Sequence, residues 1–279
     1  MKAIRTFAEL RQQVETCPKH PRVVAVRPTD EATKETLHQI QENHLAEVIA
    51  VDAPTPEEAA AQAVSLVRNG EGDILMKGLI GTDQLLRAVL NKETGLLPPG
   101  RILTHIAAAE IPGFHKMLYF TDAAVIPYPT HEQRIEQVRY AADICRKLGI
   151  SEPRIALIHC AEHGGKQFPF VEGYANIIEL AGNGAFGTCL VDGPMDIKSA
   201  CSLEALQAKG LTSTLMGEAD VLVMPDIEAG NALYKSLPLF AHAKTAGILC
   251  GTSCPVVVPS RGDSAEAKFN SILFAIASL

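Results

Sequence analysis

The sequence predicts an α/β protein with a mostly parallel mixed sheet, and two features support this prediction. Short apolar runs rich in β-branched residues alternate with segments of helical periodicity, which is typical of a parallel α/β architecture. Several runs are apolar throughout, as expected for strands that helices cover on both faces. At 279 residues, the chain can form one large α/β unit or two domains around a cleft.

Each predicted strand is a short run of mainly Val, Ile, Leu and Ala. The strands are expected at 23–26, 47–51, 73–77, 103–110, 117–125, 154–160, 188–192, 220–226, 247–251 and 255–260. Each predicted helix is a segment in which apolar residues recur every three or four positions. The helices are expected at 6–16, 30–43, 56–69, 82–91, 131–148, 171–180, 201–208, 230–238 and 264–278.

A domain boundary is expected near Pro127 and Pro129, where two prolines interrupt the pattern before a long helix. Residues 131–254 then carry their own series of strands and helices. In open parallel sheets, ligands bind beyond the carboxyl ends of the strands. Polar residues that follow strands are therefore the candidates for a functional site.

Charge and composition argue against several classes of protein. The net charge of −7 disfavours a nucleic-acid partner, which would require a basic face, although a few arginines can still bind a small anion. No apolar run reaches the roughly 18 residues of a membrane helix, so no membrane partner is expected. The N-terminal segment lacks the apolar stretch of a signal peptide, and the seven cysteines have no framework spacing. These features predict a cytoplasmic protein with reduced thiols.

Two motif matches fail on their structural context. Residues 182–187, GNGAFG, fit the dinucleotide pattern G-x-G-x-x-G, but they follow a helix and precede a strand, the reverse of the required order. Residues 159–163, HCAEH, fit a zinc-peptidase pattern that requires a helix, whereas here they follow a strand and continue into two glycines. We therefore expect no metal site.

The end of the predicted strand at 73–77 has features that favour the binding of an anion. Lys77 and Gly78 end this strand, and Thr82 can cap the helix that follows, whose N-terminus favours negative charge. Arg87, five residues into the helix, faces either water or the cleft. A structural joint between strand and helix is the alternative explanation of the same residues.

Two strand ends in the second half offer further candidates. Asp192 is followed by Gly193 and Pro194, which predict a sharp turn that holds the carboxylate forward, with a plain turn as the alternative. The next candidates share a strand end and a helix start whose free amides suit phosphate. They are Asp226, Gly230, Asn231 and Lys235.

Ser260 and Arg261 form the sharpest candidate, because they end an apolar strand with a hydroxyl and a fixed positive charge. The planar fork of arginine suits phosphate through paired, charge-assisted hydrogen bonds. Asp263 or Ser264 can cap the final helix, which is the structural explanation for those two residues.

Taken together, these segments resemble the phosphate acetyl/butyryltransferase family, and the order and spacing match from about residue 73 to the C-terminus. The forms LLRAVLNKE and SRGDSAEAK resemble the butyryltransferase branch more than the acetyl-specific branch. The segments that carry the resemblance are KGLIGTDQLLRAVLNKETGL (77–96), RILTHIAAAEIPGFHKMLYFTDAA (101–124), VDGPMD (191–196), ADVLVMPDIEAGNALYKSL (219–237) and PVVVPSRGDSAEAKFNSI (255–272).

The resemblance implies a fold similar to isocitrate and isopropylmalate dehydrogenases, with two three-layer α/β domains and the active site in the interdomain cleft. The first domain would comprise residues 1–130 and 255–279, with Ser260 and Arg261, and the second residues 131–254. It also implies a homodimer.

The activity implied by the resemblance is reversible acyl transfer from acyl-CoA to inorganic phosphate, which yields acyl phosphate and free CoA. CoA is then a substrate, and no bound cofactor is required. Ser260 resembles the family serine that hydrogen-bonds at the reacting sulfur or carbonyl, and Arg261 the arginine that grips phosphate. The general base stays open, because the position of the family aspartate falls on Ala267, while Asp263 and Glu266 lie nearby.

Three other functions remain as alternatives at this point. An acetyl-specific transferase has the same chemistry, and the sequence does not determine the acyl chain. An NAD-dependent dehydrogenase of the same fold would need metal-binding aspartates and an adenine-binding signature that the sequence lacks. A non-catalytic acyl-CoA-binding relative would not need both Ser260 and Arg261 at a reacting centre.

We predict that Arg261→Ala weakens the use of phosphate by orders of magnitude, because the bidentate contact with phosphate is lost. Folding should remain intact, since the arginine follows the strand rather than forming part of it. Steady-state kinetics at varied phosphate, with circular dichroism as the check on folding, test this prediction. Unchanged phosphate kinetics would refute the assignment.

Overall fold

The computed structural model describes residues 2–17, 20–260 and 262–279. Its strands, numbered in chain order, are β1 (Arg22–Val26), β2 (Glu47–Val51), β3 (Ile74–Lys77), β4 (Thr104–Glu110), β5 (Leu118–Thr121), β6 (Arg154–Ile158), β7 (Leu190–Met195), β8 (Val221–Val223), β9 (Lys244–Cys250) and β10 (Val256–Val257). The helices are α1 (Phe7–Glu15), α2 (Glu31–Glu42), α3 (Pro56–Arg68), α4 (Thr82–Val89), α5 (His131–Lys147), α6 (Glu172–Gly182), α7 (Ile197–Cys201), α8 (Leu203–Ala208), α9 (Ile227–Ala241) and α10 (Ala265–Ala277). This alternation confirms the predicted α/β class.

The chain divides into two compact units. The terminal unit contains Thr6–Leu103 and Lys244–Leu279, and the central unit contains Thr104–Ala243 together with residues 2–5. The predicted boundaries near 130 and 254 lie further along the chain than these divisions. The difference arises from pairing, because β5 pairs with β8 and β9 pairs with β10.

The terminal unit is built on five strands in the order β2-β1-β3-β10-β9. The first four are parallel, and β9 runs antiparallel to β10. Helix α10 packs against β9 and α2, while α3 packs against β1. Because the strands are covered, Val23, Val24 and Leu75 are fully buried, as the continuous apolar runs predicted.

The central unit contains the strands β4-β5-β8-β6-β7 in that order. Strand β5 pairs antiparallel with β4, and β8, β6 and β7 continue the sheet in parallel. Phe120 and Leu222, from neighbouring strands, are fully buried in a core that also contains Leu215 and Met224. The sheet is therefore mixed and mostly parallel, as predicted.

Helix starts were predictable because they follow local capping rules. Thr55 caps α3 by accepting from the Glu58 amide, and Pro56 occupies the first helical position. Thr130 caps α5 in the same way. The predicted helices at 6–16, 30–43, 56–69, 131–148 and 264–278 agree with the observed ones to within one residue at each end.

One predicted strand is shorter in the structure, and one short helix was not predicted. The strand expected at 117–125 ends at Thr121, because the next residue, Asp122, turns its carboxylate back onto the amides of Ala124 and Val125. The short helix α7 was not predicted; Asp196 caps it by accepting from the Ser199 amide. Among the described residues, no helix combines the length and the apolar character needed to cross a membrane.

A buried lysine connects the last helix of the terminal unit to the start of α2. The Lys268 Nζ lies 3.0 Å from Asp30 Oδ1 and 3.1 Å from Thr33 Oγ1, and the lysine side chain is only 6% exposed. Burial raises the pKa of Asp30, but the bonds from Thr33 and Lys268 lower it more, so its pKa is lowered overall. Asp30 also caps α2, so one carboxylate links the two helices.

We predict that Lys268→Met lowers the free energy of unfolding by about 2 kcal/mol, because charge-assisted hydrogen bonds are lost while the new side chain fills the space. The matched control is Lys34→Met. Lys34 makes an exposed ion pair with Glu31 in the same region, and its loss should change the free energy by less than about 0.5 kcal/mol. Urea unfolding measures both, and equal effects would contradict the structural role of Lys268.

Candidate active site

The carboxyl edge of the terminal unit brings together two of the predicted motifs. Strands β3 and β10 are parallel neighbours, with Val257 opposite Met76, so their carboxyl ends lie at the same edge. Lys77 ends β3 and is 4% exposed. Its Nζ lies 3.4 Å from the carbonyl oxygen of Pro259, the residue before Ser260. Lys77 and Ser260, far apart in sequence, are therefore neighbours in the fold.

Gly78 is required by a close approach of two backbones. A Cβ atom at Gly78 would lie 2.4 Å from the carbonyl oxygen of Arg27, which follows the adjacent strand β1. The Leu79 amide donates to this same oxygen at 2.7 Å. Packing alone therefore explains the glycine at this position.

The N-cap of the helix after the Lys77 loop lies one residue before the predicted cap, Thr82. Gly81 is the N-cap of α4, and its amide donates to Gln84 Oε1 at 3.0 Å. Thr82 is the first helical residue, so the prediction that it caps the helix is wrong. Arg87 is exposed and lies 3.5 Å from Asp83 on the same helix. It also lines a shallow groove of about 250 Å³ with residues of α3.

The segment after β10 forms a tight turn around Ser260. The Ser260 amide donates to Asp263 Oδ2 at 2.8 Å, and the Asp263 amide donates to the Ser260 carbonyl at 3.1 Å. The side chain of Ser264 caps α10 by accepting from the Ala267 amide at 3.1 Å. Ser260 is exposed, and Arg261 lies outside the described residues. Of the two predicted caps, Ser264 caps the helix and Asp263 closes the turn.

The two candidate bases have different surroundings. The carboxylate of Asp263 is held within the Ser260 turn, two residues beyond Arg261. Glu266 is exposed and makes an ion pair with Lys244 at 2.8 Å. The hydrogen bond from the Ser260 amide holds the Asp263 carboxylate close to Ser260, so Asp263 is the candidate general base that lies beside the serine.

In the central unit, Asp192 holds a neighbouring loop. Its carboxylate accepts from Ser213 Oγ at 2.7 Å and from the Thr214 amide at 3.1 Å. The turn predicted at Gly193 and Pro194 is wrong, because both residues lie within β7. A proline is tolerated there because β7 is an end strand of this sheet and its pairing with β6 has a register shift.

Helix α9 begins three residues before the predicted start, so Gly230 and Asn231 lie inside it rather than at its end. Asp226 caps the helix by accepting from the Ala229 amide at 2.8 Å. A Cβ at Gly230 would lie 2.0 Å from the Asp122 carbonyl oxygen. Asn231 Nδ2 donates to the Ala123 carbonyl at 2.9 Å. These residues pack α9 against the end of β5, and their amides are not a free helix terminus.

Lys235 lies one turn further along α9 and is exposed. Tyr234, beside it, packs its ring edge-on to His105 with the centroids 5.7 Å apart. Of the candidates Asp226, Gly230, Asn231 and Lys235, only Lys235 is therefore exposed at the surface.

Arg134 is a buried cation that the sequence reasoning did not single out. Its side chain donates to the carbonyls of Pro129 and Pro225, and its guanidinium lies 4.6 Å from the centre of the Phe170 ring. Burial lowers its pKa. An arginine in a polar amphipathic helix carries no sequence signal for burial, because the long stem suits either location.

Asp122 is also a structural carboxylate. It directly follows β5 and accepts from the Thr104 hydroxyl at 2.8 Å and from backbone amides of the following residues. A buried carboxylate with this many donors is fully satisfied, so it organises the loop after β5.

The matches to the dinucleotide and zinc-peptidase patterns lie in the structural contexts that the sequence predicts for them. GNGAFG begins at the last residue of α6 and precedes β7, and HCAEH lies in a loop after β6. Glu162 of this loop is ion-paired with Lys209 at 2.5 Å, and the ring of His159 packs against Phe168 with centroids 4.8 Å apart. Among the residues whose placement is described, no group of three or more His, Cys, Asp and Glu side chains is arranged to hold a metal.

Comparisons with known proteins agree with the resemblance seen in the sequence. A family model described as phosphate acetyl/butaryl transferase matches residues 8–276. Phosphate butyryltransferase from Clostridium beijerinckii is 34% identical over 97% of this chain and 97% of its own length. Phosphate acetyltransferase from Thermotoga maritima is 37% identical over 80% of this chain and 75% of its own.

A solved structure agrees as well. The branched-chain phosphotransacylase from Enterococcus faecalis V583 superposes with a TM-score of 0.82 at 33% identity, covering 92% of this chain and 98% of that one. The α/β fold and these relatives define the protein as an acyltransferase. The chain belongs to the phosphate acetyl/butyryltransferase family.

We predict that Asp263→Asn and Asp263→Ala separate a base from a turn-forming residue. An asparagine oxygen can still accept from the Ser260 amide, whereas alanine cannot. If Asp263 chiefly holds the turn, as its contact indicates, the Asn variant keeps acyl-transfer activity within about threefold and the Ala variant loses at least tenfold.

The measurement is kcat for acyl transfer across pH for both variants. An equal, large loss in both, with the disappearance of an acidic limb from the pH profile, would instead identify Asp263 as the general base. Glu266→Gln is the matched control, because it removes an exposed carboxylate from the same helix start.

Proposed function

We propose that this protein is a phosphate acyltransferase of the butyryltransferase type, which converts a short or branched acyl-CoA and inorganic phosphate reversibly into acyl phosphate and CoA. One observation carries the proposal. Lys77 and the Ser260 turn meet at the carboxyl edge of the terminal unit, where a parallel sheet binds its ligands. Relatives named for this activity, similar over nearly the full chain, support it.

The residues at this edge suit a phosphorylated substrate. Lys77 brings a positive charge to the edge from the end of β3. Arg261 follows Ser260 in sequence and supplies a planar fork that fits two phosphate oxygens. Ser260 is exposed at this edge, and its hydroxyl can donate or accept one hydrogen bond.

In the direction that forms the thioester, the CoA thiolate attacks the carbonyl carbon of the acyl phosphate. A carbon–sulfur bond forms, and the bond between the carbonyl carbon and the phosphate oxygen then breaks with release of inorganic phosphate. Ser260 donates to the sulfur or to the developing oxyanion, and Arg261 neutralises the departing phosphate. A preorganised oxyanion donor is worth about 3 kcal/mol, and holding both substrates in place contributes up to roughly 7–11 kcal/mol.

The thiol must lose its proton, and its ordinary pKa of about 8.5 makes this loss undemanding near neutral pH. Two routes remain for that proton. Asp263 can accept it from its place in the Ser260 turn, or the cations at the edge can favour the thiolate with water as the acceptor. No electron is transferred in this reaction.

Phosphate-dependent release of free thiol from acyl-CoA substrates tests the proposal. We expect release to require phosphate, and kcat/KM to be at least tenfold higher for butyryl- or isobutyryl-CoA than for acetyl-CoA, because each methylene in an apolar pocket is worth about 1–3 kcal/mol. Ser260→Ala should lower kcat by at least tenfold. Ser253→Ala, an exposed serine before β10, is the matched control and should leave kcat unchanged.

The other functions give different results in the same assay. Release without phosphate would indicate a thioesterase, and no release with any acyl-CoA from acetyl to isovaleryl would indicate a binding protein. A preference for acetyl-CoA would identify an acetyltransferase.

A further inference from the structure

Arg27 lies at the carboxyl edge of the terminal unit, although no motif in the sequence drew attention to it. It follows β1, which pairs in parallel with β3, so that Val26 is opposite Lys77. Neighbouring strands are about 4.8 Å apart, so the backbones of Arg27 and of the Lys77–Gly78 loop are adjacent. The edge that carries Lys77 and Ser260 therefore carries a further arginine.

The backbone of Arg27 is held in an unfavourable conformation. Its φ angle is 48°, in the left-handed region that disfavours residues with a Cβ atom. Two contacts impose this conformation: the Arg27 amide donates to the Val51 carbonyl at 2.8 Å, and the Leu79 amide donates to the Arg27 carbonyl at 2.7 Å. Glycine or asparagine would fit this position with less strain, so folding alone does not explain an arginine here.

The guanidinium of Arg27 makes one ion pair within the fold. Its Nε lies 3.2 Å from Asp52 Oδ1, and the arginine side chain is 29% exposed. Asp52 is 59% exposed and also accepts from the Ala53 amide, so it is a weak, solvated partner. Within residues 2–17, 20–260 and 262–279, Asp52 is the only side chain that forms an ion pair with Arg27, and the buried Nε makes no hydrogen bond.

Two other carboxylates near this edge, those of Asp30 and Asp263, are already engaged. Asp30, three residues further on, is bonded to Lys268, and Asp263 is bonded to the Ser260 amide. Asp52 therefore remains as the acidic group facing Arg27. The two terminal nitrogens of the guanidinium, which share Cζ with Nε, have no hydrogen-bond partner among the described residues and can bind an anion.

We propose that Arg27 is a substrate-binding residue that contacts phosphoryl oxygens at this edge, together with Lys77. The inference rests on the proposed acyltransferase function and deepens it by adding a residue that sequence motifs do not identify. The phosphoryl group belongs either to inorganic phosphate and acyl phosphate or to the phosphates of CoA. Both present the same oxygens to a guanidinium.

The test uses Arg27→Asn, because asparagine tolerates the left-handed conformation and carries no charge. We expect the KM for phosphate or for CoA to rise about tenfold, with the melting temperature unchanged or higher. Arg27→Lys should give an intermediate KM, since it keeps the charge without the planar fork. A rise confined to phosphate assigns inorganic phosphate as the source of the contact, and a rise confined to CoA assigns the coenzyme.

Asp52→Asn is the matched control, because it removes the ion pair and leaves the arginine. Under the proposal, this variant keeps its KM values or lowers them. If Arg27→Asn and Asp52→Asn leave both KM values unchanged, or raise them equally, Arg27 serves only the ion pair and the proposal is overturned.

Calorimetric titration with inorganic phosphate and with CoA, each added alone, separates this proposal from the proposed function. Weaker binding of either anion by Arg27→Asn than by the wild type supports the contact even if the wild type shows no acyl transfer. Equal binding by both proteins refutes it, whatever the activity of the wild type.

Discussion

The parallel pairing of β10 with β3 is the interaction on which the candidate site depends. Strand β10 has two residues, Val256 and Val257, both fully buried, and it lies between β3 and the antiparallel strand β9. This pairing joins the C-terminal part of the chain to its first hundred residues. It therefore carries the Ser260 turn to the edge where Lys77 ends β3, and no local interaction could do so.

Crowding of the backbone is the second constraint at this edge. Gly78 allows the loop after β3 to pass the carbonyl of Arg27, and the same contact holds Arg27 in the left-handed region. Asp263 closes the Ser260 turn, and Lys268 anchors the helix behind it to Asp30. Hydrogen bonds thus fix three loops from distant parts of the sequence. This makes the edge rigid, and a rigid edge is needed to hold two substrates in position.

Many of the polar residues that the sequence predicts as site residues in the central unit form structural contacts within the fold. Asp192 holds the loop at Ser213, Asp226 caps α9, and Asn231 and Gly230 fit that helix against the end of β5. A polar residue after a strand can satisfy a buried amide as readily as it can face a ligand, because both tasks require the same oxygen atoms. Their role toward a substrate stays a prediction.

The sequence by itself determined the α/β class, the principal helices and the family, because periodicity, capping residues and extended motifs such as SRGDSAEAK are local. It also placed Lys77 and Ser260 at strand ends. Only the tertiary structure decided that these two ends are neighbours, that Gly193 and Pro194 continue a strand, and that Arg27 shares the edge. The physical reason is that strand order and backbone crowding arise from pairing between distant segments. The composition and spacing of residues along one segment do not predict which distant segment it pairs with.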